Sequence, residues 1–292
     1  MLPRTFLRRT LARSVFASLI AVGGSGVVAG AASTAHAGSK DFAIFTTRLG
    51  GDSESAQPYI NKFAAHLEGQ AIWPKGSVKG SFLENKKQAQ AFIDQQKPGF
   101  GVIEPWLYFE LKKAQSLELV AQVTSPDLNS PRYHVVVKDP AAKSLDDLKG
   151  KRLWTTLADA PRYLGNVVLD GKEPAERRFV LKQIGSAMKG ARAVLRGEAD
   201  ATLLDDEQLE AAKKLEGGAA LRTLYSSGQL PPVLVVSFGK NISAAERTTL
   251  VKTVPTLCDK AGGEICKEMH ISRFVAVDTS LLSGAEKKFE KP

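Results

Sequence analysis

The side chains best suited to chemistry in this 292-residue chain are hydroxyls and a guanidinium gathered where β-rich runs end. Thr46, Thr47 and Arg48 close the run 42–47, and Thr155 and Thr156 close the run 151–155. Such groups hold an anion by hydrogen bonding and cause no bond to break. Catalytic alternatives find little support. His36 belongs to an N-terminal segment read below as removed, and His66, His134 and His270 lack the paired spacing of a metalloprotease. No Gly-x-Ser-x-Gly elbow and no Gly-rich phosphate loop occurs, so an enzyme is not expected and no cofactor or metal is implied. The three histidines read as structural or exposed. Cys258 and Cys266 flank Ala261-Gly262-Gly263. In an oxidising compartment such a pair reads as a disulfide rather than a metal site, two separate thiols being the alternative.

That compartment is indicated by the first 37 residues. Arg4, Arg8, Arg9 and Arg13 precede an uncharged stretch over 14–35, and Ala35-His36-Ala37 offers small residues around a cleavage point. This is the pattern of an export signal cut after Ala37, with the adjacent arginines leaving the twin-arginine route open beside the general one. A retained membrane anchor is the alternative, against which the glycines and the cleavage site argue. No cysteine follows that would anchor a lipid. Once the four signal arginines are gone, 36 basic residues face 31 acidic ones. The surplus is scattered, and pairs such as Lys86-Lys87 read as solvated faces. Nucleic acid is not an expected partner.

The elements that would position the strand-end groups alternate. A helix over 57–67 aligns Tyr59, Ile60, Phe63, Ala64 and Leu67 on one face; a strand follows over 77–83, then a helix over 86–96 that Lys97-Pro98-Gly99 stops. A short strand at 100–103, a turn at Glu104-Pro105, a helix over 106–116 and a strand over 117–123 complete the first part. Repeated units of this kind predict an α/β fold with mixed, mostly parallel sheets flanked by helices. Beyond 133 the pattern restarts: strands at 133–138, 151–155 and 199–204, helices at 161–169, 187–196 and 207–214, and a capped turn at 144–150. A second apolar run, 233–238, lies about 100 residues after 133–138. Paired hinge strands would carry the chain into a second lobe and back.

Ser144-Leu-Asp-Asp-Leu-Lys-Gly-Lys-Arg-Leu153 and Ala191-Arg-Ala-Val-Leu-Arg-Gly-Glu-Ala-Asp-Ala-Thr202 resemble two conserved-looking segments of type II periplasmic solute-binding proteins. Phe100–Tyr108, Leu230–Val236 and Met269–Val275 resemble three more, in the same order. The whole is similar to the phosphate, phosphite and phosphonate branch of that superfamily. The resemblance implies a two-lobed receptor: a signal over 1–37, lobe 1 from 38–135 and 236–292, and lobe 2 over 136–235. It further implies capture of a small anion or zwitterion in the interlobe cleft by a monomer that serves an ABC permease in the inner membrane. A sensory or partner-binding protein of the same fold is the alternative.

Their place at strand ends puts Thr46 and Arg48 on one wall of such a cleft, with Glu104, Trp106 and Tyr108 at the end of the third strand, where the resemblance implies an aromatic contact near Tyr108. On the other wall it places Thr155 and Thr156, where relatives carry a serine- and threonine-rich turn, and Asp205, where those that take amino-bearing ligands keep an acid. A plain polar loop, a core position for the aromatics and an N-cap for Asp205 are the competing readings. Ala187 stands where relatives often place a ligand histidine, and Asp159 puts a carboxylate at the helix start. Retained fold with altered ligand follows.

Overall fold

Short apolar strands and capped helices alternate through the computed structural model, which describes residues 41–46, 53–70, 73–124, 130–259 and 262–291. The export signal and its Ala37 cleavage point lie outside the described residues, as do Thr47 and Arg48. The first part runs β1 (Phe42–Phe45), α1 (Ser53–Gln70), β2 (Gly80–Phe82), α2 (Lys86–Gln96), β3 (Phe100–Ile103), α3 (Pro105–Leu111) and β4 (Leu117–Thr124). The middle part runs β5 (Tyr133–Val137), β6 (Arg152–Thr155), β7 (Val180–Gln183), α4 (Ala187–Leu195), β8 (Ala201–Asp205), α5 (Asp206–Lys213) and β9 (Arg222–Ser226). The last part returns with β10 (Leu234–Phe238), α6 (Ala244–Thr253), α7 (Gly262–Glu268), β11 (Arg273–Val275) and α8 (Thr279–Phe289).

Local chemistry sets the helix limits. Asn85 accepts the Gln88 N–H to start α2, and Lys97, in the left-handed region at φ 49°, ends it. Reciprocal capping boxes open α5 (Asp205 with Gln208) and α6 (Ser243 with Glu246), and Asp278 accepts two N–H groups at the start of α8. The turn at 144–150 is closed differently from the expected Ser144 cap. Asp147 accepts the N–H groups of Lys143 and Ser144, each at 2.8 Å. The helix expected over 161–169 widens into a π-helix at Tyr163–Val168, because the segment ending at Ala175 passes against Gly165. A Cβ on Gly165 would strike the Glu173 carbonyl oxygen and the Ala175 nitrogen.

Two sheets result. The first has the order β11-β4-β10-β3-β1-β2, in which β1 to β4 run one way and β10 and β11 the other. The second has the order β7-β6-β8-β5-β9, in which only β5 is reversed. Both contain the order second, first, third, incoming, fourth, where the incoming strand arrives from the other sheet, and the first adds β11 beyond β4. The molecule is therefore a two-lobed α/β protein with one pattern used twice. β5 lies wholly in the second sheet and β10 wholly in the first, so the chain changes sheet between β4 and β5 and again between β9 and β10. Both passages precede the strands 133–138 and 233–238 that the sequence suggested as hinges.

Each sheet has an outer core. Phe42, Ile60, Phe63, Leu67 and Phe100 pack behind the first, and Val136, Ala191, Val194 and Leu204 behind the second. The inner faces share a third apolar cluster, containing Phe45, Trp106 and Phe109 from the first lobe and Tyr163, Leu164 and Val167 from the second. Leu282, Ala285 and Phe289 of α8 complete it. The Phe289 ring lies 5.4 Å from that of Phe109, and the Arg162 guanidinium sits over it at 5.8 Å. Asn166 donates to the Lys291 carbonyl at 3.3 Å, and Lys288 pairs with Asp170 at 2.9 Å, so α8 binds both lobes. Cys258 and Cys266 form a disulfide with Cα atoms 5.5 Å apart.

Candidate functional site

In open α/β sheets a ligand meets the carboxyl ends of the parallel strands. In the first sheet Phe45 and Ile103 are register partners, so the next residues, Thr46 and Glu104, emerge side by side. The Thr46 hydroxyl donates to Glu104 Oε1 at 2.8 Å, and both residues are about 4% exposed. Pro105 follows at the first position of α3, where its missing N–H costs nothing, and its fixed φ turns the chain into the helix. Trp106 then packs edge-on against Phe45, ring centroids 5.4 Å apart. Its indole Nε1–H is buried and meets no acceptor among the described residues. A donor left so costs roughly 1–3 kcal/mol, which is uncommon in a settled core. Tyr108 is also buried, and desolvation raises its phenol above the ordinary tyrosine range.

In the second sheet Thr155 ends β6 and is fully buried, its Oγ1 accepting the Leu157 N–H at 3.1 Å. Thr156 is half-buried, and its carbonyl accepts from Gln183 Nε2 at 3.1 Å. Asp205 ends β8 and caps α5, accepting the Gln208 N–H at 2.9 Å; it is 5% exposed. Capping is thus part of its role. Thr46, Glu104 and Trp106 form one group, Thr155, Thr156 and Asp205 stand at the matching ends of the other sheet, and Arg48 lies outside the described residues.

Lys86 connects the two sides. Its Nζ lies 5.4 Å from the Trp106 ring centroid, pairs with Glu110 at 2.8 Å and donates to the Asp159 carbonyl at 3.2 Å. The solvated face expected for Lys86 is thereby corrected. The loop 156–159 that it reaches is held by Gln183, which also accepts the Asp159 N–H at 3.1 Å. His134, read from sequence as structural or exposed, is buried at the same end of the second sheet. One ring nitrogen meets Ser226 Oγ and the other Asp206 Oδ1, both at 2.8 Å.

A profile described as "ABC transporter, phosphonate, periplasmic substrate-binding protein" matches residues 52–282. The chain belongs to that family. Membership gives this phosphonate-type binding protein a periplasmic setting and a role in solute binding within an ABC transporter, not in catalysis. Among solved structures, it is similar to a binding-protein component of an ABC phosphonate transporter from Pseudomonas aeruginosa. That likeness has 17% identity and a TM-score of 0.60, covering 83% of this chain and 82% of the other. PhnD1 from Prochlorococcus marinus in complex with methylphosphonate matches at 14% identity and a TM-score of 0.61, covering 86% and 98%. A Xanthomonas citri protein bound to ATP matches at 12% identity and a TM-score of 0.64, covering 86% and 96%. At these identities the likeness concerns the fold, which is the two-lobed one described above. No curated protein matches the sequence.

Proposed function

We propose that this binding protein takes a small phosphonate between its two sheets, with an aminoalkyl phosphonate, a zwitterion, preferred over a simple dianion. The observation that carries the reading is the buried Trp106 N–H without an acceptor among the described residues, beside the Lys86 ammonium that spans to the second lobe. Phosphonyl oxygens would satisfy both, assisted by Thr46, Arg48, Thr155 and Thr156. Glu104 and Asp205 place a buried carboxylate at the end of the central strand of each sheet, which disfavours a bare dianion and favours a ligand carrying an ammonium. A relative of the same fold that holds methylphosphonate supports the phosphonyl half of this assignment. The lobes would close about the passages between β4 and β5 and between β9 and β10, and the export signal would leave after Ala37. The monomer would then deliver its solute to a permease in the inner membrane.

Calorimetric titration of residues 38–292 with 2-aminoethylphosphonate, methylphosphonate and phosphate tests the assignment. The aminoalkyl compound is expected to bind most tightly. Trp106→Phe is expected to weaken it by about tenfold, the worth of one hydrogen bond to a charged group. Silence with all three ligands, or unchanged affinity in the Trp106→Phe protein, would sink the assignment.

A further inference from the structure

Behind the second sheet, α4 and α5 cover β8 and β5, α4 also packs against Trp154 of β6, and β7 is left open. The floor beside α4 contains the half-buried Trp154 and the exposed Lys182, which are register partners, and beside them Arg152 and Val180. Val180 is 59% exposed, an unusual state for a strand valine. A cavity of about 440 Å³ lies over this floor, bounded by Trp154, Lys182, Gln183, Lys189, Arg192 and Arg196, with no carboxylate in its lining.

Charge separates this face from the rest of the surface. Arg196 is paired with Glu198 and Arg152 with Asp200. Lys182 lies 3.6 Å above the Trp154 ring, and Lys189 and Arg192 make no ion pair among the described residues. Five cations therefore stand against two carboxylates on a surface that also offers an indole face and a bare valine. The strand at its border is an edge. Among the described residues β7 pairs only with β6, through the Val180 N–H to the Lys151 carbonyl and, one residue beyond the strand, the Ile184 N–H to the Thr155 carbonyl. Alternation turns the backbone groups of Leu181 and Gln183 outward.

We infer that this face docks an extended acidic segment of a partner protein, which adds as a strand along β7 and points alternate carboxylates at Lys182, Lys189 and Arg192. The unpaired ladder supplies backbone affinity, and the cationic wall supplies the sign of the partner. This surface lies on the outer side of the sheet and borders the candidate solute site at Gln183, which holds the loop 156–159.

The test uses the peptide acetyl-Glu-Val-Glu-Val-Glu-Val-Glu-amide with residues 38–292. Saturable binding is expected, weakening at least about fivefold between about 50 and about 300 mM salt as screening tightens. Amide exchange at Leu181 and Gln183 is expected to slow on binding. The exposed double variant Lys189→Glu/Arg192→Glu should bind the peptide at least about tenfold more weakly, with its melting temperature and methylphosphonate response unchanged. The inference is overturned by no saturable binding, by binding that survives the charge reversal, or by unaltered exchange at both amides. Binding of vesicles containing anionic phosphatidylglycerol in place of the peptide would overturn it as well, because the face would then serve a membrane surface.

Discussion

Replacing Phe289 with alanine removes a side chain of α8 that touches both lobes. Phe289 is 8% exposed, its ring lies 5.4 Å from Phe109 in the first lobe, and Arg162 of the second lobe sits over it. Truncating a buried phenylalanine costs about 3–5 kcal/mol, and a position in the last helical turn can partly collapse, so the lower end applies. A loss of about 3 kcal/mol lowers the melting temperature of a chain this size by roughly 6–12 °C. Phe289→Leu keeps most of the apolar volume and should lose about 1 kcal/mol. Urea unfolding followed by circular dichroism gives the free energies, and amide exchange gives their distribution. If α8 completes a shared core, the alanine variant weakens protection at Val135 in β5 and at Val236 in β10 together. A loss below about 1 kcal/mol, or faster exchange confined to α8, would refute the shared core.

Two further outcomes follow from named contacts. Serine at both Cys258 and Cys266 opens a loop of eight-residue separation, which chain entropy values at roughly 2.5 kcal/mol, so melting should fall by about 5–10 °C; reducing agent should change the wild type alike and the variant not at all. Burial opposes ionisation of Glu68, but the N–H groups of Val78, Gly76 and Ser77 and the charge of Lys75 outweigh it, holding the carboxyl below its ordinary range. A depressed folded-state pKa stabilises the fold above the unfolded value and loses that contribution as pH falls through the folded one. Glu68→Gln should therefore melt below wild type at neutral pH, with a gap that narrows below about pH 4.5. A gap that stays constant or widens in acid contradicts the charged role.

Elements marked by local chemistry were readable in the sequence. The limits of α2 follow from the Lys97-Pro98-Gly99 stop, and β5 and β10 stand out as β-branched runs before any contact is known. Strand ends followed from those strands, which is why Thr46, Glu104, Thr155 and Asp205 were legible as candidates. Contacts that join distant segments were not. Lys86 reaches Asp159 across 73 residues and Asn166 reaches Lys291 across 125, and no local pattern distinguishes such a lysine from a solvated one. The π-helix at Tyr163–Val168 escaped for the same reason, since Gly165 explains it only once the chain near Glu173 is seen to pass by.

The incoming strands also set the order in which the molecule can be assembled as it is made. Every strand of the second sheet, β5 to β9, lies within residues 133–226, so that sheet has all its parts once Ser226 has been synthesised. The first sheet then still holds a gap between β3 and β4 that only β10 fills, and the apolar surface common to both lobes stays uncovered until α8 arrives. A ribosome or an export channel that delivers the chain from its N-terminus thus releases the second lobe ready to fold, while the first must wait for nearly the last residue. A nascent chain stalled before Leu234 would expose the unfilled edges of β3 and β4 and bind a chaperone until elongation resumed.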